Sequence, residues 1–206
     1  MLTDLQKRCV ELSYKLKLSH LSSVLNAVDT IDRVFASKRE NEPFILSNGH
    51  AGLALYVVLE KYYKKDAEQL FIKHGTHPNR NLGDMTYCSS GSLGQAITVA
   101  VGMALADRGR TVHVMTSDGE MAEGSCWEAL RIAGEQKLDN LEVICITNGY
   151  SAYGEVDKIN LINRMQQFFT VTTVLMDQTV YPSWMHGYAG HYVKMDEKMY
   201  KELYEA

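Results

Sequence analysis

Two residues of this sequence are of a type and spacing to hold a metal and an anion together. Asp118 stands just beyond the apolar segment "TVHVMT" and Asn148 directly follows "LEVICIT", thirty residues later. A carboxylate and a carboxamide both offer hard oxygens. Mg²⁺ asks for near-octahedral oxygen at about 2.0 to 2.1 Å and is held by one or two protein groups plus the phosphates of a ligand. Gly119 lets the backbone approach a diphosphate, and the N–H groups at the start of a helix near Glu123 and Gly124 suit an anion. Asp and Asn are also the residues that cap helices and turns, so the pair by itself leaves both readings open.

The elements that would position the pair are legible around it. "TVHVMT" and "LEVICIT" are short, β-branched and apolar, and "EGSCWEALRIAGEQKL" between them has helical periodicity through Trp127, Leu130, Ala133 and Leu138. Such a strand–helix–strand unit makes its two strands parallel, so Asp118 and Asn148 emerge at one carboxyl edge, about 5 Å apart if the strands are neighbours. A further helix ("INLINRMQQFF") and strand ("VTTVLM") follow, then a loop rich in Tyr, Gly and His and a short charged helix. Upstream, Leu5, Cys9, Leu12 and Leu16, and then Val24, Leu25, Val28, Ile31 and Phe35, predict two amphipathic helices. "HAGLALYVVLEKYY" and "GSLGQAITVAVGMALADRG" predict two helices apolar nearly all round, the second opening on Gly-Ser and closing at Gly109. The fold class is α/β, a mostly parallel central sheet flanked by helices, in a single domain over residues 1–206.

With 206 residues, 46% hydrophobic and 22% charged, the chain can bury a core. Its formal net charge of −4 and the lack of a basic stripe argue against nucleic acid as a partner. "AITVAVGMALA" is shorter than the roughly 20 residues of a membrane span. The charged start "MLTDLQKRCV" does not resemble a signal peptide, which makes a cytoplasmic location the expectation. Cys9, Cys88, Cys126 and Cys145 lack any paired spacing of the metal-binding or redox kind.

The stretch "SDGEMAEGSCWEALRIAGEQKLDNLEVICITNG" resembles the thiamine-diphosphate motif of transketolases, Gly-Asp-Gly-Glu followed about thirty residues later by Asn. Four more segments match the family in order: "LSHLSSVLNAVDTI", "ILSNGHAGLALYVVL", "GTHP" and "SSGSLGQAITVAVGMALA". The resemblance implies a thiamine-diphosphate-binding fold and assigns residues. Mg²⁺ falls to the Asp118 carboxylate, the Asn148 side-chain oxygen and the Tyr150 main-chain carbonyl. The diphosphate falls to His50, Gly119 and Asn148, and the aminopyrimidine to Gly91, Ser92 and Leu93. His20 and His77 match histidines that line the substrate channel. Glu123 matches a glutamate of a carboxylate network that joins two active sites, and is also what the first turn of any helix favours. Trp127 has the spacing of a buried face.

Three departures accompany the likeness. Ser117 replaces the first Gly of the motif, and Thr147 replaces the acidic residue before the Asn. Thr98 and its neighbours differ from the small residues usual there. After about residue 155 the module is shortened relative to the family, and "SWMHG" faintly resembles a Trp-His-Gly near the subunit terminus, which makes His186 a cofactor-site candidate and leaves His191 without a role. The resemblance implies a thiamine-diphosphate- and Mg²⁺-dependent subunit that moves a two-carbon ketol unit between sugars or sugar phosphates. A separate pyrimidine-binding subunit would supply the glutamate that activates the cofactor, in a heterotetramer with two copies of each chain. The alternatives are a non-catalytic or regulatory cofactor-binding subunit, and ketol or acyl transfer in a specialised sugar pathway.

Overall fold

The computed structural model describes residues 1–151 and 153–205. In chain order the elements are α1 (Asp4–Leu16), α2 (Leu21–Ser37), β1 (Phe44–Leu46), α3 (Gly52–Tyr63), α4 (Ala67–His74) and α5 (Ala96–Ala106). Then come β2 (Val112–Ser117), α6 (Gly124–Glu135), β3 (Leu141–Thr147), the hairpin β4 (Tyr150–Ser151) and β5 (Gly154–Glu155), α7 (Lys158–Phe168), β6 (Val171–Leu175), α8 (Gly187–His191) and α9 (Glu197–Tyr204). They fall into two compact units. One is helical, from Met1–Ser37, His50–Thr76 and the segment from Asp177 onward; the other is α/β, from Lys38–Gly49 and His77–Met176.

In the α/β unit four strands pair in parallel in the order β1-β2-β3-β6. The residues of β2 from Val112 to Thr116, and those of β3 from Val143 to Thr147, are all buried, as in a parallel sheet covered on both faces. The core joins Ile97, Ala100 and Ala104 of α5, Cys126, Leu130 and Ala133 of α6, and Leu161 and Met165 of α7 to Val112, Val114, Val143, Cys145 and Val171 of the strands. The helical unit packs α1, α2 and α3 together, α4 against α3, α8 against α2 and α9 against α1. Thr3 and Gln6 close a capping box on α1, and Arg8 forks onto the Glu60 carboxylate at 2.9 and 3.1 Å, tying α1 to α3. The four cysteines are free, and no helix among the described residues is long and apolar enough to cross a membrane.

Three boundaries differ from the sequence expectation, each for a tertiary reason. The helix predicted to open at Gly91 starts only at Ala96, because Gly91 (φ 122°) and Gly94 (φ 80°) adopt left-handed conformations in a loop before it. It ends at Ala106 rather than Gly109, where the Asn140 amide reaches the carbonyls of Ala104, Asp107 and Arg110 at 3.0 to 3.1 Å. The helix predicted to run through Leu138 ends at Glu135; Lys137 turns the chain with φ 50°, yet Leu138 remains fully buried.

Gly134 marks where α6 meets the end of α7. A Cβ at this position would collide with the Phe168 carbonyl oxygen, a main-chain atom that cannot swing aside. Gly134→Ala should therefore force the two helices apart and cost about 1–3 kcal/mol, the usual penalty of overpacking, despite alanine's better helix propensity. Urea unfolding of the two proteins measures it; a variant as stable as the parent would contradict this packing.

Candidate functional site

Asp118 is the first residue past β2, and its N–H still donates to the Ile146 carbonyl of β3 at 2.9 Å. That last rung brings Asp118 level with the end of β3. The residue is 3% exposed. Its Oδ1 accepts the Gly119 N–H at 2.9 Å, and its Oδ2 accepts the Gly149 N–H at 2.6 Å across the strand ends. Burial dominates the carboxyl and pushes its pKa up to about 6, against the opposing pull of the Gly149, Gly119 and Asn148 N–H groups. Beside it, Asn148 Oδ1 accepts the Tyr150 N–H at 2.9 Å, which bends the chain after β3 with Gly149 at φ 93°. A Cβ on Gly119 would lie 3.4 Å from the Tyr150 carbonyl oxygen and 3.3 Å from Ser151 Cα. Glycine thus keeps open the space in front of that carbonyl.

The strand ends therefore gather one carboxylate, one carboxamide oxygen and one main-chain carbonyl. Among the described residues no three His, Cys, Asp or Glu side chains are arranged to hold a metal, so a cation here would draw further oxygens from a ligand, as Mg²⁺ does from phosphates. A buried carboxylate whose ionisation burial disfavours is a group whose charge such a cation would balance. The donor set and the open glycine fit a metal with a diphosphate.

The Glu of the same motif plays a different part, which sequence reasoning missed. Glu120 is fully buried, and its Oε1 accepts the Ser47 hydroxyl at 2.7 Å and the Gly94 N–H at 2.8 Å. Ser47 Oγ in turn accepts the Ile97 N–H at 3.1 Å, so the carboxyl fixes the loop after β1 and the start of α5. Burial raises its pKa. The only available signal was an acidic residue one step inside an apolar turn.

The loop that Glu120 anchors carries Gly91, Ser92 and Leu93. Gly91 packs under His77, where a Cβ would come to 2.9 Å from the ring, and Ser90 N–H donates to the Pro78 carbonyl at 3.0 Å. The structure thus brings His77 and Gly91 together. Glu123 is the N-cap of α6 rather than a first-turn residue; it lies half-buried against Gly94, and Tyr153 donates to its Oε1 at 3.5 Å. Trp127 packs against the core, with Nε1–H on the Met121 carbonyl at 2.9 Å.

His20, His50 and His186 belong to the helical unit. His20 adopts φ 67°, with Ser19 Oγ 2.7 Å from its Nδ1. Its ring lies 5.7 Å from that of His50 and, unforeseen from the sequence, 4.3 Å from that of His191. The His186 ring hydrogen-bonds the Tyr181 carbonyl at 2.8 Å.

A sequence profile of the family described as transketolase, thiamine diphosphate binding domain, matches residues 24–178. The chain belongs to the transketolase family. The transketolase domain takes thiamine diphosphate with Mg²⁺ as its cofactor, the chemistry that the strand-end oxygens suit. Among curated relatives, the chain is 29% identical over 185 residues to one of the subunits of the apulose-4-phosphate transketolase of Phocaeicola vulgatus, covering 80% of this chain and 66% of that one. It is 34% identical over 140 residues to the 6-deoxy-6-sulfo-D-fructose transketolase subunit SqwG of a Clostridium species, covering 62% and 50%. It thus spans between half and two thirds of the length of these relatives. A transketolase structure from Campylobacter jejuni superposes with a TM-score of 0.57 at 22% identity, over 81% of this chain and 32% of that one, which supports the shared fold.

Asp118→Ala removes the one charged oxygen of the set. Calorimetry with thiamine diphosphate and Mg²⁺ should register loss of Mg²⁺-dependent binding while the circular dichroism of the chain stays native. Unchanged affinity would remove Asp118 from the metal.

Proposed function

We propose that this chain is the diphosphate-binding subunit of a two-subunit, transketolase-type transferase that moves a two-carbon ketol unit from a ketose donor to an aldehyde acceptor. The observation that carries this reading is the convergence of Asp118, Asn148 and the Tyr150 carbonyl at the ends of two adjacent parallel strands. Asp118, Asn148 Oδ1 and the Tyr150 carbonyl hold Mg²⁺. His50, Gly119 and Asn148 take the diphosphate, and Gly91, Ser92 and Leu93 lie against the aminopyrimidine through main-chain groups. When bound, thiamine diphosphate supplies the carbanion that carries the two-carbon unit, chemistry that the protein positions but does not perform.

His20 and His77 orient the sugar by hydrogen bonds, and an imidazole is suited to hold or release a proton at a substrate hydroxyl. Glu123, half-buried at the start of α6, is assigned by resemblance to a carboxylate network that joins two active sites. His186 is assigned to the cofactor side by resemblance only. The substrates are sugars or sugar phosphates, and the place of action is the cytoplasm.

Two features support a partner subunit. The relatives from Phocaeicola and Clostridium are both named as transketolase subunits. In addition α5, which has no charged residue, turns Thr98, Val99, Gly102 and Leu105 to solvent, with Val99 40% and Leu105 39% exposed. An uncharged helix face of this kind suits the interior of a permanent subunit interface, which commonly exceeds about 2,000 Å².

The chain alone should lack ketol-transfer activity. Mixed with its pyrimidine-binding subunit, it should gain activity in a complex with two copies of each, read by a coupled assay and light scattering. A mixed complex that binds the cofactor but transfers nothing would favour a regulatory subunit, and an active monomer of this chain would overturn the two-subunit reading.

A further inference from the structure

His191 stands in the part of the chain where the family pattern gives no guide. The "SWMHG" likeness points to His186, but the ring of that residue is engaged by the Tyr181 carbonyl. His191, at the end of α8, meets His20 edge-on at 4.3 Å and an interplanar angle of 76°, and meets His50 at 5.3 Å and 70°. Tyr192 lies 5.1 Å from the His191 ring and 5.5 Å from that of His20. All of these residues belong to the helical unit. Three imidazoles thus share one patch of that unit, and no three His, Cys, Asp or Glu side chains among the described residues are arranged to hold a metal.

The backbone binds the same pair. His20 has φ 67°, a conformation that a residue with a side chain keeps only where its surroundings hold it, and its N–H donates to the His191 carbonyl at 2.8 Å. Ser23 Oγ lies 3.4 Å from His191 Nδ1. That contact orients the ring and directs Nε2 to its far side. Burial lowers the His191 pKa, which favours the neutral imidazole. Imidazoles beside a phenol give and take hydrogen bonds without a full charge, and this matches the hydroxyls of a polyol better than a phosphate or an ammonium group.

We propose that His191 is a third imidazole of the substrate channel, hydrogen-bonding a hydroxyl or carbonyl oxygen of the sugar donor through Nε2. The proposal rests on the transferase reading and on His20 as a channel residue. It gives the segment after β6 a specificity role that the likeness to the family does not supply.

Three variants separate this role from a structural one. Alanine removes both ring nitrogens, asparagine reaches only the position of Nδ1 and keeps the Ser23 contact, and glutamine carries an amide to the position of Nε2. In the complex with the pyrimidine-binding subunit, kcat and KM are measured for the ketose donor on which the unaltered complex is active. His191→Ala should lower kcat/KM for the donor about tenfold to a hundredfold, with unchanged thiamine-diphosphate affinity by calorimetry. His191→Gln should recover most of the loss and His191→Asn little. Recovery by asparagine and not by glutamine, or wild-type kinetics in all three variants, would overturn the proposal and leave the transferase reading standing. If the alanine variant fails to assemble, the contrast between glutamine and asparagine still decides. An unaltered complex that transfers no two-carbon unit from any ketose would overturn the transferase reading and this proposal with it.

Discussion

Taking the Asp118 carboxylate out of water costs free energy that the chain offsets with main-chain donors. The Gly119 N–H meets one oxygen and the Gly149 N–H the other, and these two main-chain groups pull against the burial that raises its pKa. Everything else at the sheet edge follows from keeping those two donors in place. The β2–β3 register, Ser117 opposite Ile146, must run unbroken to the last rung so that the Gly149 N–H arrives level with the carboxyl. That register is in turn held by strands buried on both faces, since a slip of one residue would turn each strand's side chains to the wrong layer.

A second buried carboxyl two residues along solves a different problem. The loops that contribute Ser47 and Gly91–Gly94 lack regular pairing, and Glu120 gives them a common acceptor in the interior. Its Oε2 is sealed from solvent and has no hydrogen-bond partner of normal geometry among the described residues, in keeping with a carboxyl whose pKa burial has raised. The short motif Asp-Gly-Glu thus divides its labour. One carboxylate lies at the sheet edge beside the Asn148 and Tyr150 oxygens, the glycine clears the approach, and the other carboxyl faces inward to hold the loops that frame them.

Much of this was legible in the sequence because it depends on local chemistry. Leu141–Thr147 is a continuous apolar run between Asn140 and Asn148, and β3 has those limits. The strand-end pair was legible for the same reason, as polar residues that abruptly end apolar strands thirty residues apart. The start of α5 was not, because the left-handed turns at Gly91 and Gly94 are imposed by Glu120 and His77 from elsewhere in the chain. Leu138 followed helical periodicity correctly as a buried position and incorrectly as a helical one, since periodicity reports burial and Lys137 ends the turn. His191 was illegible for a plainer reason: its neighbours His20 and His50 lie at the other end of the sequence, and only the packing of α8 against α2 brings them together.

The central claim is that the strand-end oxygens hold a divalent cation jointly with a diphosphate. Mn²⁺ in place of Mg²⁺ reads this directly, through electron–nuclear double resonance on the complex loaded with thiamine diphosphate. The account predicts ³¹P couplings from both phosphates in a spectrum distinct from that of the free Mn²⁺–thiamine diphosphate chelate. It also predicts ¹³C couplings to Mn²⁺ when aspartate is labelled at its side-chain carboxyl, and their absence in Asp118→Asn. A spectrum identical to the free chelate, or carboxyl couplings that persist in Asp118→Asn, would contradict it.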